Sequence, residues 1–221
     1  MRSEGVRVTL QRLILIAAIL VGTSYVGSWF LGLPPAAATT WKGAGVALLA
    51  IYAAVQARGL DGVLLAVVLA FGALGDVLLE THGLVTGALA FLAGHLCAIA
   101  LYLRNREPGL SRANLTIGVA LLPLITGAAY LLPTERAGAG LIALYALGLA
   151  AMCAAAWISR FPRGLVGAGA LMFAVSDLLI FARTGRPALD IFPMALAVWG
   201  FYFAGQTLIA VGVTKSRFTL R

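Results

Sequence analysis

The chain has 221 residues, of which 62% are hydrophobic and 11% are charged, and its formal net charge is +8. Soluble domains carry about 25% charged residues, so this composition excludes an ordinary water-soluble protein. It indicates one integral membrane domain over residues 1–221. The basic residues lie singly or in short groups between apolar runs, as membrane topology places them, so the charge predicts no nucleic-acid partner.

The apolar runs predict the membrane spans, since a helix needs about 20 apolar residues to cross the hydrocarbon core. The second run is the shortest, and we expect Lys42 and Arg58 at its ends to extend their side chains outward. The pattern therefore predicts an all-α polytopic membrane protein with eight transmembrane helices. The runs lie at 13–32, 43–57, 62–79, 84–103, 113–132, 138–159, 164–182 and 191–213.

The distribution of basic residues predicts the orientation. With eight spans the two termini share one side of the membrane, and that side carries twelve of the 16 Lys and Arg residues. The other side carries only Lys42, Arg136, Arg183 and Arg186. The positive-inside rule then places both termini in the cytoplasm. The heavy use of Arg, Ala, Gly and Leu suggests a bacterial source, and hence the bacterial inner membrane.

Two aspartates fall inside predicted spans, Asp76 in the third and Asp177 in the seventh. An ionisable residue at such a position costs about 2.5 kcal/mol or more and is a functional candidate by default. Helical rise places Asp76 about 5 Å below Leu79 and Asp177 about 8 Å below Ala182. Both follow a small residue in spans of the same direction, which suggests a parallel duplication of four plus four helices. The alternative is that each carboxyl only bonds neighbouring helices together.

Other polar residues lie near these carboxyls in the predicted helices. Glu80 follows Asp76 by one turn on the same face, or else it lies in the membrane interface. His95 is near the middle of the fourth span and shares a face with Gly87 and Phe91. A histidine of this kind is as often a hydrogen-bonded structural residue as a functional one.

The eighth span carries Tyr202 and Gln206, four residues apart, for which helix packing is the alternative to a functional role. Neither a His-x-x-x-His pattern nor a cysteine pair is present, so no metal site is predicted. A Gly-x-Ser-x-Gly elbow is also missing, and Ser176 has no nearby histidine in the sequence. The polar residues that remain in the spans are suited to acid–base chemistry, and no cofactor is predicted.

Four motifs follow one another along the third, fourth, seventh and eighth spans: Gly75-Asp76 with Leu78 and Leu79, Gly87-xxx-Phe91-xxx-His95, Gly169-xxx-Phe173-xx-Ser176-Asp177, and Tyr202-xxx-Gln206. In this order they resemble the motifs of a known family, the YhhN-type lysoplasmalogenases. The chain departs from the family pattern in two ways. Cys97, Ala98 and Ile99 follow His95 where a Tyr is frequent, and Glu80 replaces an apolar residue.

The resemblance implies a hydrolase that cleaves the vinyl ether bond of a lysoplasmalogen, a lysophospholipid taken from the membrane. It releases a fatty aldehyde and glycerophospho-ethanolamine or -choline. The family's two aspartates map onto Asp76 and Asp177. Proton transfer to the β-carbon of a vinyl ether needs a protonated carboxyl, and a second, ionised carboxyl stabilises the cation or activates water. The residues expected to support the substrate or the carboxyls are His95, Tyr202, Gln206, Ser176, Glu80, Phe91 and Phe173.

Two outer arginines, Arg183 and Arg186, are candidates for the lipid phosphate, because a guanidinium group suits phosphate geometry. The alternative is that they only mark the membrane edge. Two other functions remain open at this point. Paired membrane aspartates also suit a proton-coupled transporter or channel, and aspartates that only hold helices together suit a non-catalytic membrane protein.

Overall fold

The computed structural model describes the backbone of residues 2–219 and the side chains of residues 8–216. That part of the chain is 84% helical and contains no strand. It forms eight long helices, which confirms the all-α prediction. They are α1 (Arg2–Ser24), extended by a 3-10 turn (Tyr25–Phe30), α2 (Pro35–Val55), α3 (Leu60–His82), α4 (Leu84–Arg104), α5 (Arg112–Leu131), α6 (Ala139–Trp157), α7 (Ala168–Arg183) and α8 (Phe192–Thr219).

Eight helical segments have the length and composition of membrane spans, with mean hydropathies from 1.3 to 2.4. The seventh consists of α7 and the π-helical turn Arg163–Gly167 that precedes it. Large apolar side chains such as Leu20, Leu89 and Leu141 point outward and are exposed. A surface of this kind suits lipid rather than water, so the chain is a multi-pass membrane protein. Its orientation stays a prediction. Four side chains on which that prediction depends, those of Arg2, Arg7, Arg217 and Arg221, lie outside the described residues.

The chain divides into two compact units, Met1–Cys97 and Ala98–Arg221. The first unit contains α1, α2, α3 and most of α4. The second contains the end of α4 together with α5, α6, α7 and α8. The single membrane domain and the internal duplication both stay predictions.

In the first unit, α2 begins at Pro35, well before the predicted start of the second span at residue 43. Proline suits the first helical turn, where its missing N–H would have no intrahelical partner. Lys42 consequently lies two turns inside the helix rather than at its end. Its neighbour Trp41 ties α2 to α1, because the indole Nε1 donates to the Val21 carbonyl at 3.1 Å.

In the second unit, polar contacts group the connections between helices. Arg160 donates to Asn105 Oδ1 at 2.6 Å, which joins the α4–α5 and α6–α7 connections. Thr134 N donates to the Thr184 carbonyl at 3.3 Å, which joins the α5–α6 and α7–α8 connections. Successive predicted spans run in opposite directions, so alternate connections must lie on the same side of the membrane. The two contacts join connections in that way.

Candidate active site

The first unit buries Asp76 on α3, where the side chain is 2% exposed. The adjacent Gly75 lets α4 approach, since a Cβ there would lie only 2.7 Å from the Phe91 ring. One turn further along α3, the backbone of Leu79 packs against Gly87 of α4. A Cβ added to Gly87 would lie 2.8 Å from the Leu79 Cα. The Gly-Asp motif of the third span and the glycine–phenylalanine motif of the fourth therefore form a single helix–helix contact.

His95 lies one turn beyond Phe91 on α4 and is buried, 4% exposed. Its neighbour Gly94 packs on Phe71 of α3. A Cβ added to Gly94 would lie 3.2 Å from the Phe71 Cβ. The α3–α4 contact thus continues past the level of Asp76. His95 belongs to the same unit as Asp76, and its role stays a prediction.

Lys42 is a site residue that the sequence reasoning did not select. Its Nζ donates to Glu80 Oε1 at 2.5 Å, and the two side chains are 13% and 40% exposed respectively. The Lys42 ammonium also interacts electrostatically with the Asp76 carboxyl. Asp76 is therefore the aspartate with a cationic neighbour, and Glu80 faces that cation rather than only the membrane interface.

The second unit buries Asp177 on α7, where the side chain is 7% exposed. The hydroxyl of Tyr145, from α6, donates to Asp177 Oδ2 at 2.7 Å. Phe181 holds the Tyr145 ring edge-on, with 5.9 Å between the ring centroids. Asp177 therefore has a neutral, well-placed donor, and Tyr145 is the second site residue that sequence reasoning missed.

The remaining motif residues of the second unit line the contact between α7 and α8. Ser176 Oγ donates to the Val198 carbonyl at 2.9 Å. The Phe173 and Tyr202 rings meet edge to face, 5.2 Å between centroids. The helices cross where Gly205 faces Gly169, because a Cβ on Gly205 would lie 2.6 Å from the Gly169 carbonyl oxygen. Ser176, Phe173 and Tyr202 are thereby brought together, and all three are buried.

Gln206 lies one turn after Tyr202 and is 2% exposed. Its Oε1 has no hydrogen-bond partner among the residues that the structure describes. A buried amide oxygen without a donor is costly. The expected role of Gln206 in supporting the substrate or the carboxyls stays a prediction.

The two outer arginines are engaged within the second unit. Arg183 donates to Asp190 Oδ1 at 3.2 Å, in an ion pair whose aspartate is largely exposed. Arg186 donates to the carbonyls of Leu132 and Ala182, at 2.6 and 3.0 Å. Both arginines therefore stabilise the α5–α6 and α7–α8 connections. Their proposed role in phosphate binding stays a prediction.

Each unit thus supplies one buried carboxyl with a defined neighbour, Asp76 with Lys42 and Asp177 with Tyr145. Asp76 lies six residues before the end of α3 at His82, and Asp177 lies six residues before the end of α7 at Arg183. Helical rise converts each separation to about 9 Å. Within the described residues no group of three or more His, Cys, Asp or Glu side chains could hold a metal ion. Carboxyls of this kind are equipped for proton transfer.

These features define the class as a polytopic helical membrane protein with buried carboxyls in its spans. The chain belongs to the YhhN family, whose profile matches residues 37–213. It is similar to proteins named lysoplasmalogenase from Mycobacterium bovis and Mycobacterium tuberculosis. Each is 31% identical over 180 residues, which cover 78% of this chain and 68% of the relative. No solved structure matches the chain. The family and the relatives' names confirm the expectation of an enzyme.

Proposed function

We propose that this protein is a lysoplasmalogenase, which adds water across the vinyl ether of a lysoplasmalogen. The observation that carries the proposal is the 31% identity to two proteins named lysoplasmalogenase over 78% of this chain. The buried carboxyls support it, because vinyl ether hydrolysis is an acid-catalysed reaction in which a positioned carboxyl supplies the proton.

The reaction balances with water alone. A carboxylic acid transfers its proton to the β-carbon of the vinyl ether, and the double-bond electrons form that C–H bond. The resulting oxocarbenium ion is stabilised by a carboxylate, in the division of labour that two carboxyls show in glycoside hydrolysis. Water captures the ion and gives up one proton, which restores the carboxylic acid. The hemiacetal then breaks its C–O bond to the glycerol oxygen, which takes the hydroxyl proton, and yields a fatty aldehyde and glycerophospho-ethanolamine or -choline.

Asp76 and Asp177 are the two groups that we assign to proton donation and cation stabilisation. Their neighbours differ: Tyr145 offers Asp177 a neutral hydroxyl at 2.7 Å, whereas Lys42 brings a cation to Asp76. This asymmetry favours Asp177 as the proton donor and Asp76 as the ionised partner. Neither assignment requires a metal or an organic cofactor.

The substrate class follows from the location of the carboxyls within the helices. A lysophospholipid keeps its phosphate at the membrane surface, and its vinyl ether lies a few bonds deeper. Each aspartate lies about 9 Å before the end of its helix by helical rise, which suits a bond just below the headgroup. We place the protein in the bacterial inner membrane with both termini in the cytoplasm, because the positive-inside rule predicts that orientation.

The test is to incubate the purified protein with a lysoplasmalogen and to measure the aldehyde released. The matched control substrate is the saturated alkyl ether, which cannot form the oxocarbenium ion by protonation. We expect aldehyde from the vinyl ether, and we expect the alkyl ether to bind and inhibit without being cleaved. Absence of aldehyde release by folded protein would contradict the proposed function, and cleavage of the alkyl ether would contradict the mechanism.

A further inference from the structure

The ion pair of Lys42 and Glu80 in the first unit lies beside Asp76, and the chemistry described above uses only its Lys42 cation. Lys42 Nζ donates to Glu80 Oε1 at 2.5 Å, and the Lys42 side chain is only 13% exposed. Glu80 is exposed, at 40%, and an ion pair with an exposed partner contributes little to stability. The carboxylate of the pair is therefore accessible to a charged ligand.

The position of the pair relative to Asp76 suggests that role. Glu80 follows Asp76 by one turn of α3, toward the end of the helix, and four residues of helical rise amount to about 6 Å. In a lysoplasmalogen, five bonds separate the phosphorus from the vinyl ether oxygen. An extended chain covers about 6 Å with that number of bonds. A vinyl ether held at Asp76 would therefore place its phosphate at the level of Glu80 and Lys42.

We propose that Lys42 and Glu80 form a headgroup subsite for zwitterionic lysophospholipids, in which Lys42 binds the phosphate and Glu80 binds the ammonium group of the amino alcohol. This inference rests on the proposed function, because the vinyl ether at Asp76 sets the depth of the headgroup. The headgroup and the pair each have one positive and one negative charge. Each protein charge exchanges its partner for a ligand charge, and none is left unpaired.

The arginines at the end of α7 are less suited to this role. Arg183 is already paired with Asp190, and Arg186 donates to the carbonyls of Leu132 and Ala182. The carboxylate beside Arg183 is 77% exposed, whereas Glu80 is 40% exposed and contacts a lysine that is only 13% exposed.

The subsite predicts selectivity by headgroup. A phosphoglycerol headgroup has the phosphate without the ammonium group, so it would engage Lys42 and leave Glu80 without a cation. Because Glu80 is exposed, losing its ammonium partner is expected to weaken binding by the amount typical of an exposed ion pair, up to about fivefold.

The experiment measures binding separately from turnover. Purified protein is titrated with saturated alkyl-ether lysophospholipids of one chain length, with either a phosphoethanolamine or a phosphoglycerol headgroup. We expect the wild type to bind the phosphoethanolamine ligand more tightly, by up to about fivefold. Glu80→Gln and the neutral double variant Lys42→Met/Glu80→Gln are expected to lose that preference. Asp190→Asn, which removes the carboxylate of the exposed Arg183 pair, is the matched control and is expected to keep it.

The result that would overturn the subsite is equal binding of both headgroups by the wild type, or an unchanged preference in Glu80→Gln. A purely structural ion pair would give the latter, because its loss changes stability but not the ratio of two affinities. Aldehyde release is measured on the same preparations. Aldehyde without headgroup preference would reject the subsite alone, and headgroup preference without aldehyde would reject the hydrolase alone.

Discussion

The Tyr145 hydroxyl donates to Asp177 Oδ2 at 2.7 Å, although Tyr145 lies on another helix, 32 residues earlier in the sequence. Both side chains belong to the second unit, and the hydrogen bond fixes the orientation of the carboxyl. A proton donor that is held in one orientation transfers its proton more efficiently than one that rotates freely. Tyr145 is therefore a positioning residue for the chemistry that we assign to Asp177.

The variant Tyr145→Phe tests this relationship. It removes the hydroxyl and keeps the ring that packs on Phe181. We expect kcat for aldehyde release to fall about tenfold to a hundredfold, the range for a hydrogen bond to a carboxyl, with little change in KM. Steady-state kinetics on a lysoplasmalogen measures both constants.

The control for that variant is Tyr130→Phe, which removes a hydroxyl from an exposed tyrosine of α5. The Arg136 guanidinium lies 4.4 Å from the centre of the Tyr130 ring, and phenylalanine retains that contact. We expect normal kinetics. A loss in Tyr145→Phe that appears in KM alone would show that the hydroxyl serves binding rather than the orientation of Asp177.

A second prediction concerns the crossing of α7 and α8. In Gly205→Ala the new methyl group would lie 2.6 Å from the Gly169 carbonyl oxygen and 3.1 Å from the Phe173 nitrogen. The helices must separate, because both contacts are with backbone. We expect a lower midpoint of thermal unfolding in detergent and a loss of activity, since Phe173 and Tyr202 meet at this crossing.

Gly200→Ala is the matched control on the same helix, because a Cβ at Gly200 meets no atom within 4 Å. Alanine favours a helix over glycine by about 0.5–1 kcal/mol in water, so this variant is expected to be as stable as the wild type or more so. Equal stability of Gly205→Ala and Gly200→Ala would argue against the close crossing.

A third prediction concerns orientation. Single cysteines are introduced at the exposed positions Arg112 and Asp190, after Cys97 and Cys153 have been replaced. An impermeant thiol reagent added to intact cells should label position 190 and spare position 112. Labelling of position 112 alone would reverse the orientation, and labelling of both from outside would contradict the grouping of connections that Asn105–Arg160 and Thr134–Thr184 indicate.

The architecture was largely predictable because a membrane span requires a continuous apolar run, which is a local feature of the sequence. Apolar runs of span length identified eight helices, and the polar residues within them made Asp76 and Asp177 candidates, whose role stays a prediction. The close contacts of Gly75 with Phe91 and of Gly169 with Gly205 follow the general use of glycine between membrane helices. The sequence did not reveal which glycine meets which neighbour, because that depends on how the helices are rotated about their axes.

The partners of the two aspartates were not predictable for the same reason. Tyr145 is one tyrosine within an apolar helix. It lies on a different helix from Asp177, so the spacing of the two residues in the sequence gives no sign that they meet. Lys42 was read as the edge of a short span, since a charge inside a span is costly and the hydrophobic run begins at residue 43. The structure begins α2 at Pro35, and the cost of placing Lys42 within the helix is offset by pairing with Glu80.

The proposed chemistry requires both carboxyls, and their amide variants test it most directly. Asp76→Asn and Asp177→Asn keep the size of each side chain and remove its ability to exchange a proton. The measurement is the turnover of purified variants on a lysoplasmalogen, with folding checked by the detergent-solubilised yield. We predict that each variant loses at least about a hundredfold in kcat, the low end for general acid–base catalysis, at a near-normal yield. Near-wild-type turnover in either variant would contradict the assignment of that carboxyl to the reaction.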